Sequence, residues 1–64
     1  MHLSDGAAID IMNDVFKEND IKNLNEQPKE VQREVAVTLR SKGLSIRQIS
    51  RLTGISKSIV EARQ

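Results

Sequence analysis

The sequence predicts an all-α fold, a small domain of four to five helices that contains a helix-turn-helix over residues 45–63. Three observations predict it. Apolar residues recur at helical spacing through two long stretches, residues 4–18 and 28–42, and no stretch alternates as a half-buried strand would. Around Gly54, small and apolar residues fall where two short helices joined by a tight turn need them. Finally, the chain has 64 residues and no cysteine, so one small core without disulfides must hold it.

The first helix is expected from a Ser4 N-cap to Lys17 or Glu18. Asp5 in its first turn suits the positive end of the helix dipole. Ile9, Met12 and Phe16 stand at i, i+3 and i+7, with Ala8, Ile11 and Val15 beside them. That broad apolar stripe is suited to core burial. A methionine within such a stripe reads as core filling rather than as a ligand. Residues 19–27 are polar and rich in asparagine. Within them Ile21 and Leu24, three residues apart, predict a single helical turn that plugs the core.

Pro28 is expected at the first position of the next helix, where its missing N–H has no intrahelical partner to lose. That helix should run to Lys42 and end at Gly43. Its inner face carries Val31, Val35 and Leu39 at i, i+4 and i+8. Arg40 and Lys42 have two readings, as phosphate contacts or as cations that complement the C-terminal dipole of their own helix.

Residues 44–60 read Leu-Ser-Ile-Arg-Gln-Ile-Ser-Arg-Leu-Thr-Gly-Ile-Ser-Lys-Ser-Ile-Val. Ser45 with Gln48 three residues on makes a capping box, and Leu44 with Ile49 can form a hydrophobic staple. Helices are expected at 46–53 and 57–63. Gly54 suits a turn whose backbone needs φ > 0, and Ser50 is small enough for close helix approach. Ser56 can cap the second helix. Phe16, Val35, Leu39, Ile49, Leu52, Ile55 and Val60 are expected in one core. Ile59 is read as core, with contact to an apolar group of a partner as the alternative. The second helix delivers Val60 just before the chain ends, which fits a domain of a larger protein.

Composition narrows the function. The only histidine is His2, so zinc would have to rely on scattered carboxylates, and no cofactor is expected. Phe16 is the only aromatic residue, which argues against folds that stack bases on exposed rings. No apolar run approaches a membrane span and no signal peptide is visible, so a cytoplasmic protein without membrane contact is the default expectation. No paired acid and base, nucleophile or phosphate-cradling glycine loop is apparent, so an enzyme is not expected. Net charge is only +1, but it is unevenly spread. Residues 1–30 hold three lysines against seven acids, and residues 31–64 hold seven cations against two acids. Halves of opposite sign suggest one face toward an anionic partner and one away from it.

Together these features point to DNA, with the second helix of the unit in the major groove. Ser56, Lys57, Ser58, Glu61 and Arg63 are the candidate contacts on that helix. Arg63 suits guanine or phosphate, and Glu61 can accept from cytosine N4. Arg47, Gln48 and Arg51 on the first helix are the candidate phosphate contacts. The alternatives are a transcriptional regulator's DNA-binding domain and a helical hairpin that serves protein–protein interaction, docking through the Ile9/Met12/Phe16 helix or through Ile59.

Three segments go beyond a generic helix-turn-helix: Pro-Lys-Glu-Val-Gln-Arg at 28–33, Leu-Arg-Ser-Lys-Gly at 39–43, and Ser-Ile-Arg-Gln-Ile-Ser-Arg-Leu-Thr-Gly-Ile-Ser at 45–56. Across residues 4–63 the chain resembles the C-terminal helical segment of REP-associated and insertion-sequence type tyrosine transposases of the HUH class. More distantly its layout is similar to the DNA-binding domains of DnaA and the Trp repressor group. The resemblance implies binding of duplex or hairpin DNA in a bacterial transposition system. It also implies that catalysis lies in the remainder of a larger transposase. The family's chemistry needs a tyrosine nucleophile and a His-hydrophobic-His metal motif, and this chain has no tyrosine and one histidine.

Overall fold

A computed structural model describes residues 3–61. Helix α1 spans Asp5–Glu18, a 3₁₀ turn spans Leu24–Glu26, and α2 spans Lys29–Ser41, α3 Ile46–Thr53 and α4 Lys57–Glu61. The described residues hold no strand. Helix α2 is the hub, packing against α1, α3, α4 and the 3₁₀ turn.

Among the described residues the buried apolar set is Ala8, Met12, Val15, Ile21, Leu24, Val35, Ala36, Leu39, Leu44, Ile49, Ile55 and Val60. Each large aliphatic side chain taken fully out of water contributes roughly 1.5–3 kcal/mol, so this one cluster is the main source of stability. Five of the expected core residues, Val35, Leu39, Ile49, Ile55 and Val60, are in it. Phe16 and Leu52 are only half-buried at its edge, as is Ile59. Ile9 is 41% exposed and lies outside the core. The reason is rotational. The inward line of α1 is Ala8, Met12 and Val15, at i, i+4 and i+7, which turns the Ile9 side of the apolar stripe toward solvent.

Helix ends explain how so short a chain closes. The Ser4 hydroxyl accepts from the Ala7 N–H at 3.2 Å. At the other end of α1, Asp20 takes φ 55° and the Ile21 N–H donates back to the Phe16 carbonyl at 2.8 Å. This Schellman closure turns Ile21 inward. Ile21 and Leu24 do plug the core, but only Leu24 belongs to the 3₁₀ turn. Helix α2 ends the same way. Gly43 has φ 109°, and the Leu44 N–H donates to the Leu39 carbonyl at 3.2 Å, both side chains being buried. The helix itself stops at Ser41, with Lys42 as its C-cap.

Pro28 is the N-cap of α2 rather than its first helical residue. Its ψ of 153° is extended, while its carbonyl already accepts from the Gln32 N–H at 3.0 Å. A proline side chain offers no capping oxygen, and buried Gln32 does related work here. Its Nε2 donates to the carbonyls of Gln27 at 2.9 Å and Asn25 at 3.2 Å, tying the 3₁₀ turn to α2.

Candidate nucleic-acid interface

Helices α3 and α4 pack on each other and on α2, joined by Gly54, Ile55 and Ser56. The capping box is present: Ser45 Oγ accepts from the Gln48 N–H at 3.1 Å, and Gln48 Oε1 accepts from the Ser45 N–H at 3.2 Å. Gly54 has φ 82°, in the left-handed region that the sequence demanded of it. Ser50 Oγ donates to the Ile55 carbonyl at 2.8 Å, so this small residue also ties α3 to the turn. Ile55 and Val60 enter the core on either side of Ser56.

With Val60 inward and Ile59 at the edge, α4 presents Lys57, Ser58 and Glu61 to solvent. Ser56 is exposed, and its hydroxyl accepts from the Ile59 N–H at 3.4 Å, the expected cap. Arg47 is exposed on α3, one turn before Arg51. Arg63 lies outside the described residues.

Gln48 is a correction. The side chain is 9% exposed, and its Nε2 donates to the Leu3 carbonyl at 2.6 Å and weakly to Asp5 Oδ1 at 3.4 Å. Both ends of its amide are used inside the protein, which leaves it a structural post rather than a phosphate contact.

Arg51 is exposed, as expected of a phosphate contact, but it is not free. Its Nη2 lies 2.8 Å from both carboxylate oxygens of Asp5 at the start of α1. The Arg51 hydrogen bond, followed by that from Gln48, holds the Asp5 carboxyl below its ordinary pKa. No local signal announces this pairing, because the partners are 46 residues apart and meet only when α1 lies against α3. Arg40 stands in the last turn of α2, as its dipole reading requires, and it also reaches a second helix. Its Nη1 donates to the Val60 carbonyl of α4 at 3.4 Å, a contact that the sequence reading did not include.

No helix among the described residues is long and apolar enough to cross a membrane. Comparison with protein-family models, with curated proteins and with solved structures returns no match.

Proposed function

We propose that this chain binds DNA, with α3 and α4 acting as a helix-turn-helix and α4 entering the major groove. The observation that carries the reading is the two-sided character of α4. Val60 anchors one side in the core, while Lys57, Ser58 and Glu61 stand together on the other with no structural duty among the described contacts. Lys57 supplies charge toward phosphate, and Ser58 and Glu61 supply a versatile donor–acceptor and an acceptor toward base edges. Arg47 adds a phosphate contact from α3. Arg63 keeps the role assigned to it from sequence.

The wider context, a non-catalytic module of a bacterial transposase in the cytoplasm, is supported by the sequence resemblance alone. Docking to another protein is less well supported, because the exposed large apolar residues among those described, Ile9 and Val37, are scattered single side chains of the kind common on protein surfaces.

The test is titration of isotope-labelled protein with duplex and hairpin DNA at two salt concentrations. Shift changes should cluster at residues 45–63. With about 3–6 phosphate contacts, log affinity should fall against log salt with a slope of roughly −3 to −5. Changes confined to residues 5–18, or affinity indifferent to salt, would contradict the proposal.

A further inference from the structure

We propose that the Asp5 carboxylate occupies a phosphate seat on α3, so that the first turn of α1 restrains DNA binding by the same face. This rests on the DNA-binding reading and specifies how that site is regulated.

The seat is the exposed Arg51 guanidinium on α3, whose Nη2 holds Asp5, while buried Gln48 Nε2, one turn before it, steadies the carboxylate from the inner side. Both converge on Asp5 Oδ1, at 3.4 Å and 2.8 Å, and Arg51 also reaches Oδ2 at 2.8 Å. Gln48 is fixed in place by the Ser45 N–H and the Leu3 carbonyl, so the seat is pre-formed on its inner side. Its outer side is open: the Arg51 side chain is 61% exposed and that of Asp5 48%. A planar guanidinium suits carboxylate and phosphate alike. An exposed ion pair is held weakly, because solvent screens it and two side chains must be ordered to keep it. With Asp5 in place the seat is taken, and removing the carboxylate's charge is enough to free Arg51 for a DNA phosphate. Held below its usual range by those same donors, Asp5 stays ionised at neutral pH and competes at all times. The acidic surplus of the N-terminal half thereby gains a specific point of action.

The experiment measures binding of a fluorescent mixed-sequence duplex and a DNA hairpin across a salt series, using the full chain. The variants are Asp5→Asn, Asp10→Asn, Arg51→Gln and the Asp5→Asn/Arg51→Gln double variant, with thermal unfolding of each recorded alongside. Asp10 is exposed on the same helix, and its replacement makes the same change in net charge. If Asp5 holds the seat, Asp5→Asn gains roughly three- to tenfold in affinity at low salt and its salt slope steepens by about 0.9, one added phosphate contact. Asp10→Asn shows less gain and no change of slope, and Arg51→Gln cancels the gain of Asp5→Asn. In the otherwise unchanged chain, Arg51→Gln leaves the slope as it was. That result keeps the idea testable if Asp5→Asn unfolds.

Equal gains for Asp5→Asn and Asp10→Asn would reduce the effect to net charge and overturn the seat while leaving DNA binding intact. A shallower slope for Arg51→Gln alone would show that Arg51 already meets phosphate, with the same consequence. Absence of binding by every form to both DNA probes at low salt would overturn the DNA reading and the seat together.

Discussion

Gln48 Nε2 on α3 donates to the Leu3 carbonyl at 2.6 Å, a hydrogen bond that spans 45 residues and pins the entry to α1 against the start of α3. The same side chain closes the capping box through Oε1. One buried amide thus serves both a helix end and a tertiary junction.

Gln48→Leu should therefore destabilise the protein although it keeps the side chain's approximate size. It would leave the Ser45 N–H and the Leu3 carbonyl without their partner, and an unsatisfied buried polar group costs about 1–3 kcal/mol. Denaturant unfolding should show the loss. A variant as stable as the parent would mean that water replaces the amide freely.

Gly54 should tolerate little else. A Cβ built there would meet Asn25 Nδ2 at 3.5 Å, an ordinary contact, so crowding is not the obstacle. The obstacle is φ of 82°, where an L-residue is disfavoured by roughly 1–2 kcal/mol. Gly54→Ala should cost about that much, and Gly54→Asn less, since asparagine visits this region more readily. Thermal unfolding of the pair separates conformation from crowding: equal losses would contradict the argument.

Local signals carried most of the fold. Ser4, Ser45 with Gln48, Gly43 and Gly54 mark ends and turns through the chemistry of a few neighbouring residues, and each sits where that chemistry predicts. What the sequence hid is long-range. Nothing near Arg51 announces Asp5, nothing near Arg40 announces the Val60 carbonyl, and nothing near Gln32 announces that it must hold the 3₁₀ turn. The exposure of Ile9 was hidden for a related reason. A stripe spanning Ala8, Ile9, Ile11, Met12, Val15 and Phe16 is wider than one helical face can bury here, and the packing of α1 on α2 and α3 decides which part turns inward.

The core should be ranked by burial rather than by side-chain type. Ile49 is fully buried and Leu52, one turn away on α3, is half-buried. Ile49→Ala should cost about 2–5 kcal/mol, most of the stability of so small a domain, and Leu52→Ala clearly less. Chemical denaturation of both variants gives the order, and a larger loss at Leu52 would contradict the packing described.

The Asp5–Arg51 pair should leave a signature in acid. Its folded-state carboxyl lies below the ordinary 3.8, so the pair stabilises the fold above that pH. The contribution fades as pH drops through the lower folded-state value. The melting temperatures of Asp5→Asn and the parent should therefore differ at neutral pH and converge as the pH falls through that folded-state value. A constant gap across that range would show that the carboxylate's charge is not what links the helices.

Lys57 and Glu61 offer the sharpest test of the α4 face, because they share it and carry opposite charges. Lys57→Ala should weaken binding to all duplexes alike, by about 1–3 kcal/mol for a good charged contact, and make the salt slope shallower by about 1. Glu61→Gln should do something different. Removing an anion from a face near phosphate raises affinity for arbitrary DNA. An acceptor for cytosine N4 is lost in part, so discrimination at one base position relaxes. Lys17, exposed on the acidic α1, is the control, and its replacement by alanine should leave both affinity and base preference unchanged. Binding of the three variants to a randomised duplex pool, followed by sequencing of the bound fraction, reads affinity and preference together. If Lys17→Ala shifts binding as much as Lys57→Ala, α4 is not the recognition helix.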